Sequence, residues 1–138
     1  ALPISLEEIR TFVNSKQLLI AYIDQQIVGC IRHYFVDKGV YSFGLLSADF
    51  NFLGAGIGSA LVEKVELIAR KKGATSIRIE IVRPTQQQLE IKEQIAAWYQ
   101  RSGYLPSGSE PLSHLSQKKA DESIVDCTVD YYQKNLKN

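Results

Sequence analysis

Three consecutive strand-like segments with very short connections constrain the fold of this 138-residue chain more than any other feature. The segments 17–24, 26–37 and 40–48 are rich in β-branched and aromatic residues. Their connections lie at 25–26 and 37–39. Parallel neighbours need a crossover of about a dozen residues or more, so these segments can pair only as antiparallel neighbours. The sequence therefore predicts a meander of three strands.

The rest of the chain alternates helical and strand-like periodicity. In chain order, the segments are a helix at 5–13 with Ser5 and Glu8 as a capping box, a helix that opens near Ile57 and ends at Gly73, a strand at 75–82, a helix at 89–102, a polar loop at 105–122 and a last strand at 123–132. This order predicts one α/β domain over residues 1–138, with a mixed, mostly antiparallel sheet flanked by helices.

The composition limits the partners and the location. A formal net charge of +1 gives no field that favours nucleic acid or an anionic membrane, so we expect neither partner. No apolar run approaches the ~20 residues that span a bilayer, and we predict a cytoplasmic protein. Cys30 and Cys127 match no metal-ligand spacing; we expect buried free thiols, with a disulfide as the alternative. The first residues, which lack a Met, read as the middle of a longer sequence, and we expect a natural N-terminal piece to be missing.

Three glycines at alternate positions, Gly54, Gly56 and Gly58, lie where the second helix begins. The first N–H groups of a helix lack internal partners and form the positive end of its dipole, which favours phosphate. Glycine lets phosphate oxygens approach without meeting a Cβ atom. The segment Gly54–Ser59, named the glycine loop here, is therefore a candidate pyrophosphate cradle. The alternative is a tight strand-to-helix turn without a ligand.

Two common phosphate-binding motifs fit this loop poorly. A P-loop requires Lys followed by Ser or Thr after the glycines, and the sequence has no such pair there. A dinucleotide-binding unit would use Gly54 and Gly56, with Glu80 at the end of the next strand for the ribose hydroxyls. However, Ser59 takes the place of its third glycine, and an antiparallel meander precedes the loop. A nicotinamide-binding domain therefore stays as a minor alternative.

Two stretches resemble the signatures of the GCN5-related N-acetyltransferase (GNAT) family. The stretch "GLLSADFNFLGAGIGSALV" at 44–62 is similar to the family's phosphate loop after a strand. The stretch "AAWYQRSGY" at 96–104 is similar to its aromatic-Tyr pair before a glycine and an aromatic residue. Both occur in the family's order with one strand between them, and the resemblance covers residues 17–104 and extends to the final strand. It implies the GNAT fold, with the N-terminal strand and helix of that fold missing.

The resemblance implies that acetyl-CoA is the acyl donor. Backbone groups at the end of the third strand, at Leu46, Ser47 and Ala48, would bind the pantetheine amides in the manner of an added strand. The backbone N–H groups of the glycine loop would surround the pyrophosphate. The residues of that loop are Gly54, Ala55, Gly56, Ile57, Gly58 and Ser59.

The resemblance also implies direct acetyl transfer, in a ternary complex, to the primary amine of a small molecule or a peptide. Tyr99 aligns with the family's general acid, which protonates the departing thiolate; a packing role is the alternative. Glu80 aligns with a strand carboxylate that accepts the amine proton in some members; a solvated surface role is the alternative. His33 and His114 are weaker candidates for the base. Neither a metal nor an acyl-enzyme is expected.

Two residues depart from the family pattern. Leu53 replaces the Arg or Gln that begins the phosphate loop, which removes a charge-assisted contact worth roughly 1–3 kcal/mol. Lys92 replaces an Asn that is common ahead of the tyrosine. Leu53 favours an alternative function, a degenerate GNAT domain that binds coenzyme A or a partner without turnover, whereas the retained Tyr99 favours an enzyme. The resemblance adds homodimerisation as an option and leaves the acceptor amine undefined.

Overall fold

A computed structural model describes residues 6–52, 54–87, 89–122 and 125–136. Its helices and strands, in chain order, are α1 (Leu6–Asn14), β1 (Leu18–Ile23), β2 (Gln26–Asp37), β3 (Val40–Ala48), α2 (Ile57–Lys71), β4 (Ser76–Pro84), α3 (Glu90–Arg101), β5 (Leu105–Pro111), α4 (Gln117–Glu122) and β6 (Cys127–Asn135). The strands form one sheet in the order β1-β2-β3-β4-β6-β5. The β1–β2, β2–β3 and β5–β6 pairs are antiparallel, and the β3–β4 pair is parallel. The predicted α/β class with a mixed, mostly antiparallel sheet is confirmed.

The chain divides into two compact units. The N-terminal unit contains residues 6–77 and 135–136, and the C-terminal unit is Arg78–Lys134. The single domain over residues 1–138 stays a prediction. Within the four described ranges, no helix is both long and apolar enough to cross a membrane.

The meander of the N-terminal unit has the predicted strands, with β2 and β3 at the predicted bounds. The β1–β2 turn is formed by Asp24 and Gln25, one residue before the predicted connection. Both residues have positive φ angles, 50° and 68°, as in a type I′ turn, whose twist matches that of the flanking strands. The β2–β3 turn places Gly39 at φ 72°. α1 confirms the first predicted helix, although Ser5 of its capping box lies outside the described residues.

α2 buries one face, and it ends as predicted. The buried side chains are Ile57, Leu61, Val62, Val65, Glu66 and Ala69. Helical spacing also predicts Ala60 on this buried face, but Ala60 is exposed. At the carboxyl end, Gly73 adopts φ 85° and donates its N–H to Arg70, which is the usual role of a glycine after a helix.

Gly29 in β2 lets the end of β3 and the start of α2 come close to the same point on the sheet. A Cβ atom at this position would lie 2.7 Å from the carbonyl oxygen of Ser47 and 2.8 Å from Cγ2 of Ile57. Neither distance is compatible with a real side chain, because one neighbour is backbone and the other is a buried side chain. A glycine inside a strand often marks such a close approach. The two segments predicted to bind coenzyme A are therefore positioned against one residue of β2.

The C-terminal unit contains the predicted α3, which ends before Gly103 at φ 96°. The predicted polar loop at 105–122 is wrong, because this segment forms β5, a single turn of 3-10 helix at Leu112–His114, and α4. β5 is exposed at nearly every position, so it lacks the alternation of buried and polar residues that marks a strand. Its prolines are typical of an edge strand, which needs hydrogen bonds on one side only.

The last strand begins later than its pattern predicts. β6 is Cys127–Asn135, whereas the prediction was 123–132, and Ser123 and Ile124 lie outside the described residues. Its buried positions are Val129 and Tyr132. The alternating pattern predicts Tyr131 rather than Tyr132 on the buried face, and Tyr131 is half-buried. Cys127 and Cys30 are both free thiols, as predicted, but both are half-buried rather than buried.

Candidate active site

The glycine loop combines two residues in left-handed backbone conformation with a helix start. Gly54 has φ 83° and Gly56 has φ 77°, which L-residues with a side chain rarely adopt. A Cβ atom built on either one would meet no atom of the described residues within 4 Å. The glycines are therefore required by the backbone path, and the space beside them is open to a ligand. Gly58 differs, since it lies in the first turn of α2.

The first turn of α2 begins directly after these two glycines. Gly56 is the N-cap residue, and the first intrahelical bond runs from the N–H of Ala60 to its carbonyl oxygen, 2.9 Å away. The N–H groups of Ile57, Gly58 and Ser59 precede this bond and have no acceptor within the helix. They lie at the positive end of a 15-residue helix. This geometry suits a phosphate group.

The segment before the loop is held by hydrogen bonds around Asp49. The N–H of Asp49 donates to the carbonyl of Val28 at 2.7 Å, and Oδ1 of Asp49 accepts from the N–H of Asn51 at 2.8 Å. The N–H of Ala55 donates to the carbonyl of Phe52 at 3.1 Å. Leu53 lies outside the described residues, so its effect on coenzyme binding stays a prediction.

The end of β3 carries a backbone irregularity that the sequence did not reveal. Leu45 has φ 52°, and the β2–β3 register shifts there, between the pairs Arg32–Gly44 and Cys30–Ser47. A bulge of this kind bends a strand and redirects the residues that follow it. The following residues are half-buried Leu46 and exposed Ser47 and Ala48, the predicted pantetheine-binding residues.

Tyr99 is a buried phenol on α3. The residue is 9% exposed. The centre of its ring lies 5.0 Å from the centre of the Trp98 ring and 6.0 Å from that of the fully buried Tyr104 ring. Burial raises the pKa of Tyr99 to about 12, because the phenolate would lose its hydration. The hydroxyl therefore stays protonated at neutral pH, which a general acid requires. Trp98 is half-buried.

Glu80 lies on the exposed face of β4, between the buried Ile79 and Ile81. Partial desolvation raises the pKa of its carboxyl group, and the charge of Glu110 raises it further. The charges of Arg78 and Lys119 act in the opposite direction. A raised pKa brings a carboxylate closer to the range in which it accepts a proton at neutral pH.

Two neighbours of Glu80, Tyr131 and Glu110, form a hydrogen-bonded pair. Tyr131 on β6 donates a hydrogen bond to Oε1 of Glu110 on β5, and the guanidinium carbon of Arg78 lies 5.3 Å from the centre of the Tyr131 ring. The pKa of Tyr131 is raised to about 12; burial is the largest cause, and the hydrogen bond to Glu110 is the next. No sequence signal pointed to this pair, because the contact depends on the pairing of β5 with β6.

The other face of the C-terminal unit contains a cavity of about 270 Å³. It is lined by residues of β4, of α3 with its N-cap, and of β6, namely Ile81, Arg83, Leu89, Lys92, Glu93, Ala96, Asp130 and Tyr132. Nε of Arg83 donates to Oδ2 of Asp130 at 2.6 Å, and the hydroxyl of Ser109 donates to Oδ1 at 2.7 Å. Lys92, the second departure from the family pattern, therefore faces a space with charges of both signs.

The predicted site residues fall into two groups. The pantetheine and pyrophosphate residues all lie in the N-terminal unit, whereas Tyr99 and Glu80 lie in the C-terminal unit. Of the two weaker candidates for the base, His33 is buried and hydrogen-bonded to Tyr41, which is a structural role. His114 is exposed beside Glu110.

Several solved structures are similar to this chain in fold. A GNAT family acetyltransferase from Elizabethkingia anophelis with acetyl-CoA bound has a TM-score of 0.72 at 18% identity, covering 96% of this chain and 84% of that chain. Ard1 from Thermoplasma volcanium has a TM-score of 0.75 at 15% identity, covering 98% and 82%. A Bacillus anthracis structure in complex with acetyl coenzyme A has a TM-score of 0.68 at 16% identity; it matches 87% of this chain, which spans 62% of its length. At these identities the similarity shows the fold.

Comparison with protein families gives the decisive result. No curated protein sequence matches the chain. A family model described as "Acetyltransferase (GNAT) domain" matches residues 14–106, which is more than half of the sequence. This span includes β1 to α3, the glycine loop and Tyr99. The chain belongs to the GNAT acetyltransferase family.

Proposed function

We propose that this protein is an N-acetyltransferase that transfers the acetyl group of acetyl-CoA to a primary amine by direct attack in a ternary complex. The observation that carries the proposal is the glycine loop, where left-handed Gly54 and Gly56 leave open space beside the first turn of α2. The acetyl-CoA bound to similar folds supports this choice of donor.

The residues of the N-terminal unit fit the two polar parts of the donor. The N–H groups of Ile57, Gly58 and Ser59 would bind the pyrophosphate, since they have no acceptor within α2. Backbone groups of Ser47 and Ala48 would bind the pantetheine amides. Acetyl-CoA, when bound, supplies the acetyl thioester that the amine attacks.

The residues of the C-terminal unit would handle the protons. Glu80 would accept a proton from the attacking amine, and its raised pKa suits this role. Tyr99 would donate its proton to the departing thiolate, and its pKa of about 12 keeps the hydroxyl protonated at neutral pH. Much of the acceleration would come from holding the amine beside the thioester.

In this proposal the acceptor is a primary amine of a small molecule or a peptide. We also propose that the chain is a single catalytic domain and that it acts in the cytoplasm. The second candidate function is a GNAT domain that binds coenzyme A or a partner without turnover. Leu53 favours it, because the phosphate loop lacks the usual cationic or amide side chain. Homodimerisation is an option under both candidate functions.

Two measurements test the proposal. Titration calorimetry with acetyl-CoA should show binding, and titration with NADH should show none. Thiol release against a panel of amines should then identify an acceptor. Binding without thiol release for every amine would establish the second candidate in its coenzyme-binding form. Absence of acetyl-CoA binding would overturn the proposed acetyl transfer and leave only a domain that binds a partner.

A further inference from the structure

A hydrogen-bonded pair lies on the same face of the C-terminal unit as Glu80. The hydroxyl of Tyr131 donates a hydrogen bond to Oε1 of Glu110. Tyr131 is half-buried and Glu110 is partly shielded, with 33% of its side chain exposed. A carboxylate that accepts a hydrogen bond from a hydroxyl group is placed to take that proton when the hydroxyl oxygen accepts another proton.

The register of β5 and β6 brings the two side chains together. Glu110 pairs with Val129 and Gly108 pairs with Tyr131, so Glu110 and Tyr131 are diagonal neighbours on one face. The register shifts between Pro106 and Gly108, immediately beside the residue opposite Tyr131. Such irregularities often redirect side chains next to active sites.

The second carboxylate oxygen of Glu110 lies near His114, whose side chain is exposed to solvent. Nδ1 of His114 lies 3.8 Å from Oε2 of Glu110, and 62% of the His114 side chain is exposed. The short turn Leu112–His114 holds this imidazole near the carboxylate, because Leu112 is buried and anchors the turn. Histidine is the side chain that exchanges protons with water most readily near neutral pH.

The charges around this pair suit a cationic substrate. Glu80 on β4 and Glu110 on β5 interact electrostatically, and both raise the pKa of Tyr131. Arg78 lies against the Tyr131 ring, and Lys119 on α4 acts on Glu80, so the cluster is not purely acidic. An ammonium group near Tyr131 would be attracted by two carboxylates.

We infer that Tyr131, Glu110 and His114 form a proton path that removes one proton from the ammonium form of the acceptor and delivers it to solvent. This inference rests on the proposed acetyl transfer. The Tyr131 oxygen touches the substrate and accepts its proton while passing its own proton to Oε1 of Glu110. Glu110 and His114 act through Tyr131. Because 3.8 Å is too long for a direct hydrogen bond, a water molecule between Oε2 of Glu110 and Nδ1 of His114 carries the proton in this path, and His114 releases it to solvent.

The protons balance over the whole reaction. The path converts the ammonium to the free amine, with one proton going to solvent. The amine nitrogen then forms its bond to the acetyl carbon as the carbon–sulfur bond breaks. Glu80 takes the second proton from the nitrogen, and Tyr99 gives one to the thiolate. Exchange with solvent returns Glu80 and Tyr99 to their starting states, so one ammonium and one thioester give one amide, one thiol and one proton.

Three variants separate proton transfer from packing. Tyr131→Phe removes the hydroxyl and keeps the ring against Arg78. Glu110→Gln keeps an oxygen that accepts the Tyr131 hydrogen bond but cannot take the proton. Because a positioned acid or base contributes about 10²–10⁴-fold, we expect each to lower kcat/KM for the best amine by about tenfold or more, with an unchanged KM for acetyl-CoA. His114→Ala should lower kcat/KM less, and added imidazole should restore it by replacing the missing base.

Tyr22→Phe and Glu122→Gln, at exposed positions, make the same chemical changes and should leave the rate unchanged. The melting temperature of each variant shows whether it folds. If only one of Tyr131→Phe and Glu110→Gln folds, that variant alone tests the proton path. An active wild-type protein with a folded Tyr131→Phe or Glu110→Gln variant within about twofold of its rate overturns the proton path alone, and so does a His114→Ala rate that imidazole does not raise. A wild-type protein that acetylates no amine overturns the proposed function and the path with it.

Discussion

The Nδ1 atom of buried His33 lies 2.6 Å from the hydroxyl oxygen of Tyr41, inside the N-terminal unit. Burial lowers the pKa of His33, and the charge of Lys72 lowers it further. The folded state therefore favours the neutral imidazole, so the unfolded state binds more protons once the pH falls below the ordinary histidine pKa of about 6.5.

We predict that this pair makes stability depend on pH. The contribution of His33 to the free energy of unfolding should be constant above about pH 6.5 and should decrease as the pH falls below that value. Urea unfolding at several pH values between 5 and 8 measures the slope. His33→Gln, which retains a polar partner for Tyr41, should show a flatter curve over this interval. Equal slopes for the two proteins would remove His33 from the explanation.

Gly29→Ala should destabilise the N-terminal unit. The added methyl group would meet backbone at 2.7 Å and the Ile57 side chain at 2.8 Å, and overpacking of this kind costs about 1–3 kcal/mol. Chemical denaturation gives the change in the free energy of unfolding. Gly44→Ala is the matched control, because Gly44 also lies in a strand and a Cβ there meets no described atom within 4 Å. A control as unstable as Gly29→Ala would contradict the steric explanation.

Gly56→Ala should weaken acetyl-CoA binding. Alanine at φ 77° costs about 1–2 kcal/mol, so the backbone will shift and move the N–H groups of the glycine loop. Gly73→Ala, at φ 85° after the other end of α2, should lose a similar amount of stability but bind acetyl-CoA normally. Calorimetry on both variants separates loss of the site from loss of stability. Equal affinities for acetyl-CoA would show that the loop conformation does not matter for the donor.

Tyr99→Phe should lower kcat by about 100-fold, the scale of a general acid, with little change in the KM for acetyl-CoA. Since the pKa of Tyr99 is about 12, its ionisation should cause no decline in the rate of the wild-type protein between pH 8 and 10. The rate of thiol release across this pH range checks both statements. An unchanged kcat for Tyr99→Phe would leave Tyr99 a packing residue.

Regular periodicity made most of the fold predictable. The meander followed from connections too short for crossovers, and β2 and β3 have the predicted bounds. α2 and α3 followed from helical spacing closed by Gly73 and Gly103. β5 and α4 did not, because an exposed edge strand has no buried alternation and a six-residue helix is too short to show a period.

The candidate site was predictable where a motif is local in sequence. The glycine loop and Tyr99 lie in continuous stretches, and the resemblance to a family named their roles. The contact of Tyr131 with Glu110 spans 21 residues and depends on a register shift, which a single sequence does not specify. The left-handed Leu45 was equally hidden, because leucine gives no signal of that conformation.

Gly29 also limits how the glycine loop can be grafted onto another protein. The loop's own residues set its backbone angles, but its placement relative to the end of β3 is set from a buried position in a different strand. A graft of residues 46–59 onto another sheet would therefore reproduce the sequence of the ligand-binding segment without its spacing, unless the host strand also offers a gap the size of one methyl group. The transferable unit is the loop together with that gap.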